Sequence, residues 1–192
     1  MSGPRLIALC SNAQGAGKSS VRDCLVHTYD FNFIAFATPL KTMFATLLSF
    51  YGYSKAECSR RIFGADADKA EVIPELGTSA RHALQTLGTE WGRHYISSSI
   101  WVDAAMAQAT KVNDAGGSIV IDDCRFPNEL EAVHEAGGEV WYISRAGAED
   151  GSGHASEGAI EPWHCDRVLM NEGSLFDLEN GVAHLMQGEV FA

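Results

Sequence analysis

The chain has 192 residues, of which 46% are hydrophobic and 20% charged, and its formal net charge is −11. Such a length buries a full core without metal or disulfide staples and suits one domain. A surface this acidic repels a phosphate backbone, so nucleic acid is not an expected partner, and the apolar runs are too short to span a bilayer, so neither is a membrane.

The start, "MSGPRLIALC", lacks the length and cleavage pattern of a signal peptide and reads directly as a strand over 5–11. Its unbroken apolar run is that of a strand buried on both faces. "SNAQGAGKSS" (11–20) follows, and "SSVRDCLVHTY" continues as a helix. "FNFIAFA" (31–37) is strand-like. Thr38-Pro39 predicts a helix start, with Thr38 as N-cap and Pro39 as the first helical residue, and that helix closes near Gly52. Residues 54–78 read as polar and irregular, with one short helix around 54–63. Ser79 is placed to cap a long helix, "ARHALQTLGTEWGRHYI", with an apolar stripe Leu84, Leu87, Trp91 and Tyr95 and a polar stripe Arg81, Gln85, Thr89 and Arg93. "WVDAAMAQATKVNDAGG" is the next helix, "SIVIDD" (118–123) a buried strand, and "PNELEAVHEAGG" a helix opened by Pro127 and closed by Gly137. "EVWYISR" is a strand, 146–164 a long Gly/Ser/Ala-rich loop, "RVLMN" the last strand and "SLFDLENGVAHLM" the last helix. Strands alternating with helices imply an α/β parallel sheet covered on both faces, with ligands beyond the carboxyl ends of the strands.

Two features fall at such ends. The first is the loop of residues 11–19, which fits the phosphate-loop pattern G-x-x-x-x-G-K-S/T at Gly17, Lys18 and Ser19 but has Asn12 at its first place. A strand, then glycines, then a helix turns backbone N–H groups and a helix N-terminus toward one anion. Lys18 is expected at the β/γ-phosphates of ATP and Ser19 on Mg²⁺, while Ala13, Gly15, Ala16 and Ser20 complete the loop. Asn12 is expected to serve as a residue tolerant of positive φ. The second feature is Asp122-Asp123, where a carboxylate beside the loop can hold the metal's water shell. Lys41 in a first helical turn opposes the helix dipole, which a bound anion would relieve. Arg125 and Arg145 also fall at strand ends, and arginine forks suit phosphate. The five cysteines are odd in number, widely spaced and without C-x-x-C, so reduced thiols in a cytoplasmic chain are expected. His154, His164 and Cys165 do not match zinc-ligand spacing. A switch GTPase would need a guanine-reading N-K-x-D, which the chain lacks.

The pieces "AQGAGKSSV", "FATPLKTMF", "LQTLGTEWGRHYISSSIWVDA", "VIDDCRFPNELEAV", "GGEVWYISR", "HASE" and "VLMNEGSLFDL" run in order along almost the whole chain. Together they resemble the deoxynucleoside monophosphate kinases of tailed bacteriophages. "LGTEWGR" and "DCRFPNE" are the specific parts. The resemblance implies a three-layer P-loop fold with a five-stranded parallel sheet, a helical monophosphate-binding insertion (about 38–112) and a lid (about 145–165) within one domain. It implies transfer of the γ-phosphoryl of ATP to a dNMP with Mg²⁺. Lys41, Gln85, Trp91, Arg93 and Arg125 are then substrate-side groups, and Arg145 is a lid arginine near the transferring phosphoryl. Asn171 and Gly173 belong to an adenine-side loop, and Asp123, rather than Asp122, matches the family's D-x-R-F. A homodimer is in keeping with such kinases, though no stripe demands it. Asn12 for glycine, and Thr38 where acidic residues are frequent, depart from the pattern.

Overall fold

The computed structural model of the chain describes residues 5–13, 15–145 and 160–187. In chain order its elements are β1 (Leu6–Cys10), α1 (Lys18–Tyr29), β2 (Asn32–Ile34), α2 (Thr38–Phe50), α3 (Lys55–Phe63), α4 (Asp66–Ala70), β3 (Val72–Ile73), β4 (Thr78–Ser79) and α5 (Ala80–Thr86). A π-helix (Leu87–Ile96), α6 (Ile100–Asp114), β5 (Ile119–Ile121), α7 (Pro127–Glu135), β6 (Glu139–Ser144), a 3₁₀ turn (Pro162–His164), β7 (Arg167–Met170) and α8 (Leu175–Gln187) follow. No helix among the described residues is long and apolar enough to cross a membrane.

Five strands form one sheet in the order β2-β5-β1-β6-β7, and every pairing in it is parallel. β1 is central and wholly buried, Leu6 to Cys10. Successive strand residues face opposite sides, so Ile7 and Leu9 share one core with Trp141 and Ile143 of β6, Val21 and Leu25 of α1, and Leu178, Val182 and Leu185 of α8. Each such side chain, fully buried, contributes roughly 1.5–3 kcal/mol. α7 packs against β1 and β6 with Val133 fully buried. The helix–sheet–helix layering matches the α/β reading of the sequence.

The chain divides into two compact units, one of residues 1–35 with 106–192 and the other Phe36–Ala105. The second unit has its own core of Phe44, Leu48, Cys58, Ile62, Ile73 and Ala80. Ser54 caps α3 by accepting from the Glu57 N–H at 3.2 Å. The stretch read as irregular also holds α4 and the β3–β4 hairpin, elements of five and two residues, too short for periodicity to reveal. Thr38 is not the N-cap of α2. The helix begins at Thr38 itself, and Ala37 precedes it already in the right-handed helical region, with no side-chain cap. The Lys41 N–H reaches the Ala37 carbonyl at 2.9 Å, so Pro39 lies inside the first turn, where its missing N–H costs nothing.

The largest departure lies after Ser79, which does cap α5 through the His82 N–H at 3.2 Å. The α-helix stops at Thr86 and the chain continues as ten residues of π-helix. The wider turn of i→i+5 bonding puts later side chains out of phase with the 3.6-residue stripe. Trp91 and Tyr95, expected inside, are 38% and 82% exposed, and Gly92 is buried instead. Trp101 fills the space: a Cβ at Gly92 would stand 2.6 Å from its ring, and its Nε1–H donates to the Gly88 carbonyl at 2.8 Å. Gly92 of "LGTEWGR" therefore admits an indole, and Gly88 supplies the carbonyl that receives it. Gly92→Ala should overpack this contact and lower stability by about 1–3 kcal/mol, read as a fall in Tm. His94→Ala on the exposed side should leave Tm nearly unchanged.

Candidate phosphate-binding site

The carboxyl ends of β1, β5, β6 and β7 lead into residues 11–17, 122–125, 145 and 171–173. Gly17 is the residue before α1, at φ +109°, and Gly15 takes φ +76°. These are left-handed conformations that side chains disfavour. A Cβ on Gly17 would also come within 2.5 Å of the Asn171 Nδ2. Among the described residues no side chain caps α1, and its first turn carries no acidic residue. A helix N-terminus so arranged turns N–H groups and a partial positive charge outward, toward an anion. Lys18 is the first helical residue and is half-buried, Ser19 is exposed, Ser20 and Ala13 are half-buried, and Ala16 is buried.

Neighbouring strand ends brace this loop. Asn171 is buried; its Nδ2 donates to the Ala16 carbonyl at 2.8 Å and its N–H to the Ser144 carbonyl at 2.7 Å. One residue thereby ties the loop to the ends of β6 and β7. Arg145, exposed after β6, donates from Nη1 to the Gly15 carbonyl at 3.4 Å. Gly173 leads into α8, where the Asp177 carboxylate accepts from the Ser174 N–H at 2.8 Å and hydroxyl at 2.7 Å, and these bonds hold Asp177 below its ordinary value.

The two aspartates after β5 differ. Asp122 receives Arg22 Nη1 at 2.6 Å, and the Arg22 guanidinium lies 4.9 Å from the Phe33 ring centroid. Burial works to lower the Arg22 value, but bonds to Asp23 and Asp122 outweigh it and raise it. Asp123 is half-buried, and Arg125 beyond it is exposed. The backbone of Arg125 is fixed from below: the buried Glu129 accepts from the Arg125 N–H at 2.7 Å and the Phe126 N–H at 3.1 Å. "DCRFPNE" is thus a helix start, with Pro127 opening α7 and Glu129 three residues beyond Phe126 as its cap.

Asn12 corrects the sequence reading. Among the described residues the non-glycine with positive φ is Asp30, so Asn12 does not serve through a left-handed backbone. Its side chain is used instead: Nδ2 donates to Glu161 Oε2 at 3.3 Å, and its N–H points to the Tyr142 hydroxyl at 3.4 Å. Glu161, Tyr142 and Arg22 were not singled out in the sequence. Tyr142 sits in an apolar strand and Glu161 within the Gly/Ser/Ala-rich stretch 146–164, so neither carried a periodic signal.

Of the remaining residues, Lys41, Gln85, Trp91 and Arg93 belong to the Phe36–Ala105 unit. Lys41 Nζ stands 5.1 Å from the Phe63 ring centroid. Gln85 is half-buried on α5, and Arg93 Nη1 donates to the Ser98 carbonyl at 3.4 Å. The π-helix meets α2 where Gly88 approaches Leu40, next to Lys41. Arg81 of the polar stripe is paired with Asp66 at 2.6 Å. Most of the segment expected as a lid, with His154 to Glu157, lies outside the described residues.

The family model for deoxynucleotide monophosphate kinase matches residues 67–182. The chain belongs to that family. The deoxynucleotide monophosphate kinases of Enterobacteria phage T4 and Escherichia phage RB69 are each 26% identical over 110 residues. That alignment covers 57% of this chain and 46% and 45% of theirs, so the chain matches about half the length of these curated relatives. Among solved structures, TT1252 from Thermus thermophilus superposes with a TM-score of 0.53 at 16% identity, covering 99% of this chain and 100% of its own. Dephospho-CoA kinase from Campylobacter jejuni gives 0.52 at 9% identity over 96% and 97%. At these identities the likeness shows the fold alone. The family match begins beyond the loop of residues 11–19, so the loop's geometry and the family membership are separate observations. Asn171→Ala should remove the loop's brace and cost about 1–2 kcal/mol of stability. Thermal unfolding checks this, with Asn180→Ala, on the exposed face of α8, as a neutral control.

Proposed function

We propose that the chain transfers the γ-phosphoryl group of ATP to a deoxynucleoside 5′-monophosphate, yielding the diphosphate and ADP. The observation that carries this reading is the strand–loop–helix junction ending in Gly17-Lys18-Ser19, on a chain of the deoxynucleotide monophosphate kinase family. Both substrates are polyanions, so the barrier lies in bringing like charges together and keeping water out. In this proposal the loop's N–H groups and the α1 N-terminus cradle ATP, and Lys18 offsets charge on its β- and γ-phosphoryl groups. Arg125 and, from the region 38–112, Lys41 and Arg93 orient the monophosphate, with Gln85 and Trp91 along its base and sugar. Arg145, at the start of a lid over 145–165, meets the transferring group. Asn171 and Gly173 shape the adenine side of the loop. No general base is required, because the acceptor phosphate oxygen is already ionised near neutral pH.

The residues also fit a divalent cation. The Ser19 hydroxyl is exposed in the first turn of α1 and Asp123 is half-buried past β5, a set of hard oxygen donors of the kind Mg²⁺ takes. Asp122, engaged by Arg22, is less suited. Mg²⁺, when bound, supplies neutralisation of phosphoryl charge.

A panel of all dNMPs and NMPs with ATP, with dephospho-coenzyme A as an unrelated acceptor and ADP release as the readout, tests the proposal. Turnover with at least one dNMP, exceeding that with the matching ribonucleotide, is expected; turnover confined to a non-nucleotide acceptor would refute it. Lys18→Ala should lower kcat by about a hundredfold or more with Tm unchanged. Arg125→Ala should raise KM for the dNMP by about tenfold with less effect on KM for ATP, and unchanged steady-state constants would remove Arg125 from the site.

A further inference from the structure

Two cysteines stand in contact beside the loop and have no part in the proposed transfer. Cys10 is the last residue of β1, 1% exposed, with its Sγ 3.6 Å from the Trp141 carbonyl. Cys165 follows the 3₁₀ turn, is half-exposed, and points its Sγ at the Glu161 carbonyl at 3.7 Å. The two sulfurs are 3.3 Å apart. A disulfide needs about 2.05 Å, so closing the gap takes a shift of little more than an ångström. No group of three or more His, Cys, Asp or Glu able to hold a metal ion is found among the described residues, which sets a metal-thiolate role aside.

We propose that Cys10 and Cys165 are a peroxide-oxidisable dithiol, whose disulfide ties the strand entering the phosphate loop to the segment that precedes β7. The pair is asymmetric in a way that orders the chemistry. The bond with Cys165, together with burial, pushes the Cys10 thiol far up, while the Cys10 donor lowers that of Cys165. Cys165 is also the sulfur with exposed surface, so it meets the oxidant first. Its thiolate attacks one oxygen of hydrogen peroxide. The O–O bond breaks, hydroxide leaves and takes up the proton lost by the thiol, and Cys165 becomes a sulfenic acid. The Cys10 sulfur then attacks Cys165 Sγ, the S–O bond breaks, and the departing hydroxide leaves as water with the Cys10 proton. Two thiols and one peroxide give one disulfide and two waters, with two electrons passing to the peroxide. Cys124, 1% exposed and pushed well up by burial, is the nearby thiol expected to stay out of the reaction.

The tie falls where it can act on the loop. Cys10 is two residues before Asn12, and Asn12 Nδ2 is bonded to Glu161, four residues before Cys165. Drawing the sulfurs together therefore strains the strand end and the Asn12–Glu161 contact at once, and a loop displaced from its preorganised shape binds phosphate less well. This consequence, unlike the disulfide itself, rests on the reading of residues 11–19 as an ATP site.

The full chain, reduced and then treated with hydrogen peroxide, is digested without reduction and mapped by mass spectrometry, and ATP affinity is measured calorimetrically on the same samples. The expected result is a Cys10–Cys165 linked peptide pair with a loss of two hydrogens. Affinity for ATP should fall by at least about threefold and return with dithiothreitol. Cys165→Ser should abolish the link and leave Cys10 a thiol, and Cys10→Ser should leave a sulfenic acid on Cys165 that dimedone traps. Thiols that persist at Cys10 and Cys165 in wild-type protein, or a link to Cys124 instead, would each overturn the proposal, and a link with unchanged ATP affinity would overturn its effect on the loop. Reduced protein that binds no ATP would defeat the phosphate-loop reading, while the wild-type peptide map still decides the disulfide without relying on either variant.

Discussion

The parallel hydrogen bonding of β1 to β5 on one side and β6 on the other constrains the rest of the larger unit. A strand paired on both edges and buried on both faces leaves its backbone only one way out, at the carboxyl end, where polar groups must be met by whatever lies beyond. There the chain has to turn within a few residues into α1, through positive-φ positions 15 and 17 that favour glycine, and at 17 a side chain would also meet Asn171. The loop's shape thus follows from the sheet before any ligand is considered. Its position is held by groups from β6, the residues just past β6 and β7, and the 3₁₀ turn: Asn171 on Ala16, Arg145 on Gly15, and Glu161 with Tyr142 on Asn12.

Charge is distributed to the same end. The molecule as a whole is acidic, yet Lys18, Arg22, Arg125 and Arg145 gather around the carboxyl edge. Of these, Arg22 is answered by Asp122 and Asp23. A few placed cations inside a negative envelope favour small polyanions that can enter the site over long ones that must lie across the surface.

The sheet was readable in the sequence because each strand is a short apolar run bounded by turn residues, as at "LIALC" and "SIVI", and because helix boundaries carried Pro127, Gly116 and Gly137. The strand–loop–helix junction was readable because its glycines and Lys18-Ser19 stand at the spacing of a recognised sequence pattern. What escaped were features that depend on partners distant in sequence. Asn12 looked like a backbone residue because its partner, Glu161, lies 149 positions away. The ion pair at Asp122 is made by Arg22, 100 positions away on α1. Thr38 has the chemistry of a cap, but Ala37 was already helical. The stripe through Trp91 and Tyr95 failed because it assumed 3.6 residues per turn, whereas Trp101, filling the space at Gly92, accompanies a wider one.

That wider turn bears on how the segment tolerates change in length. A π-helix is related to an α-helix by one additional residue in its hydrogen-bonded ring, so "LGTEWGRHYI" holds a surplus that an α-helix of the same span would not. Deleting a residue there need not break the helix; it can restore ordinary bonding while turning Arg93 and everything after it to a different azimuth. Insertions and deletions in this stretch would therefore act as rotations of a side-chain array rather than as lesions. Related chains that differ here by a single residue could keep the helix and present a different face.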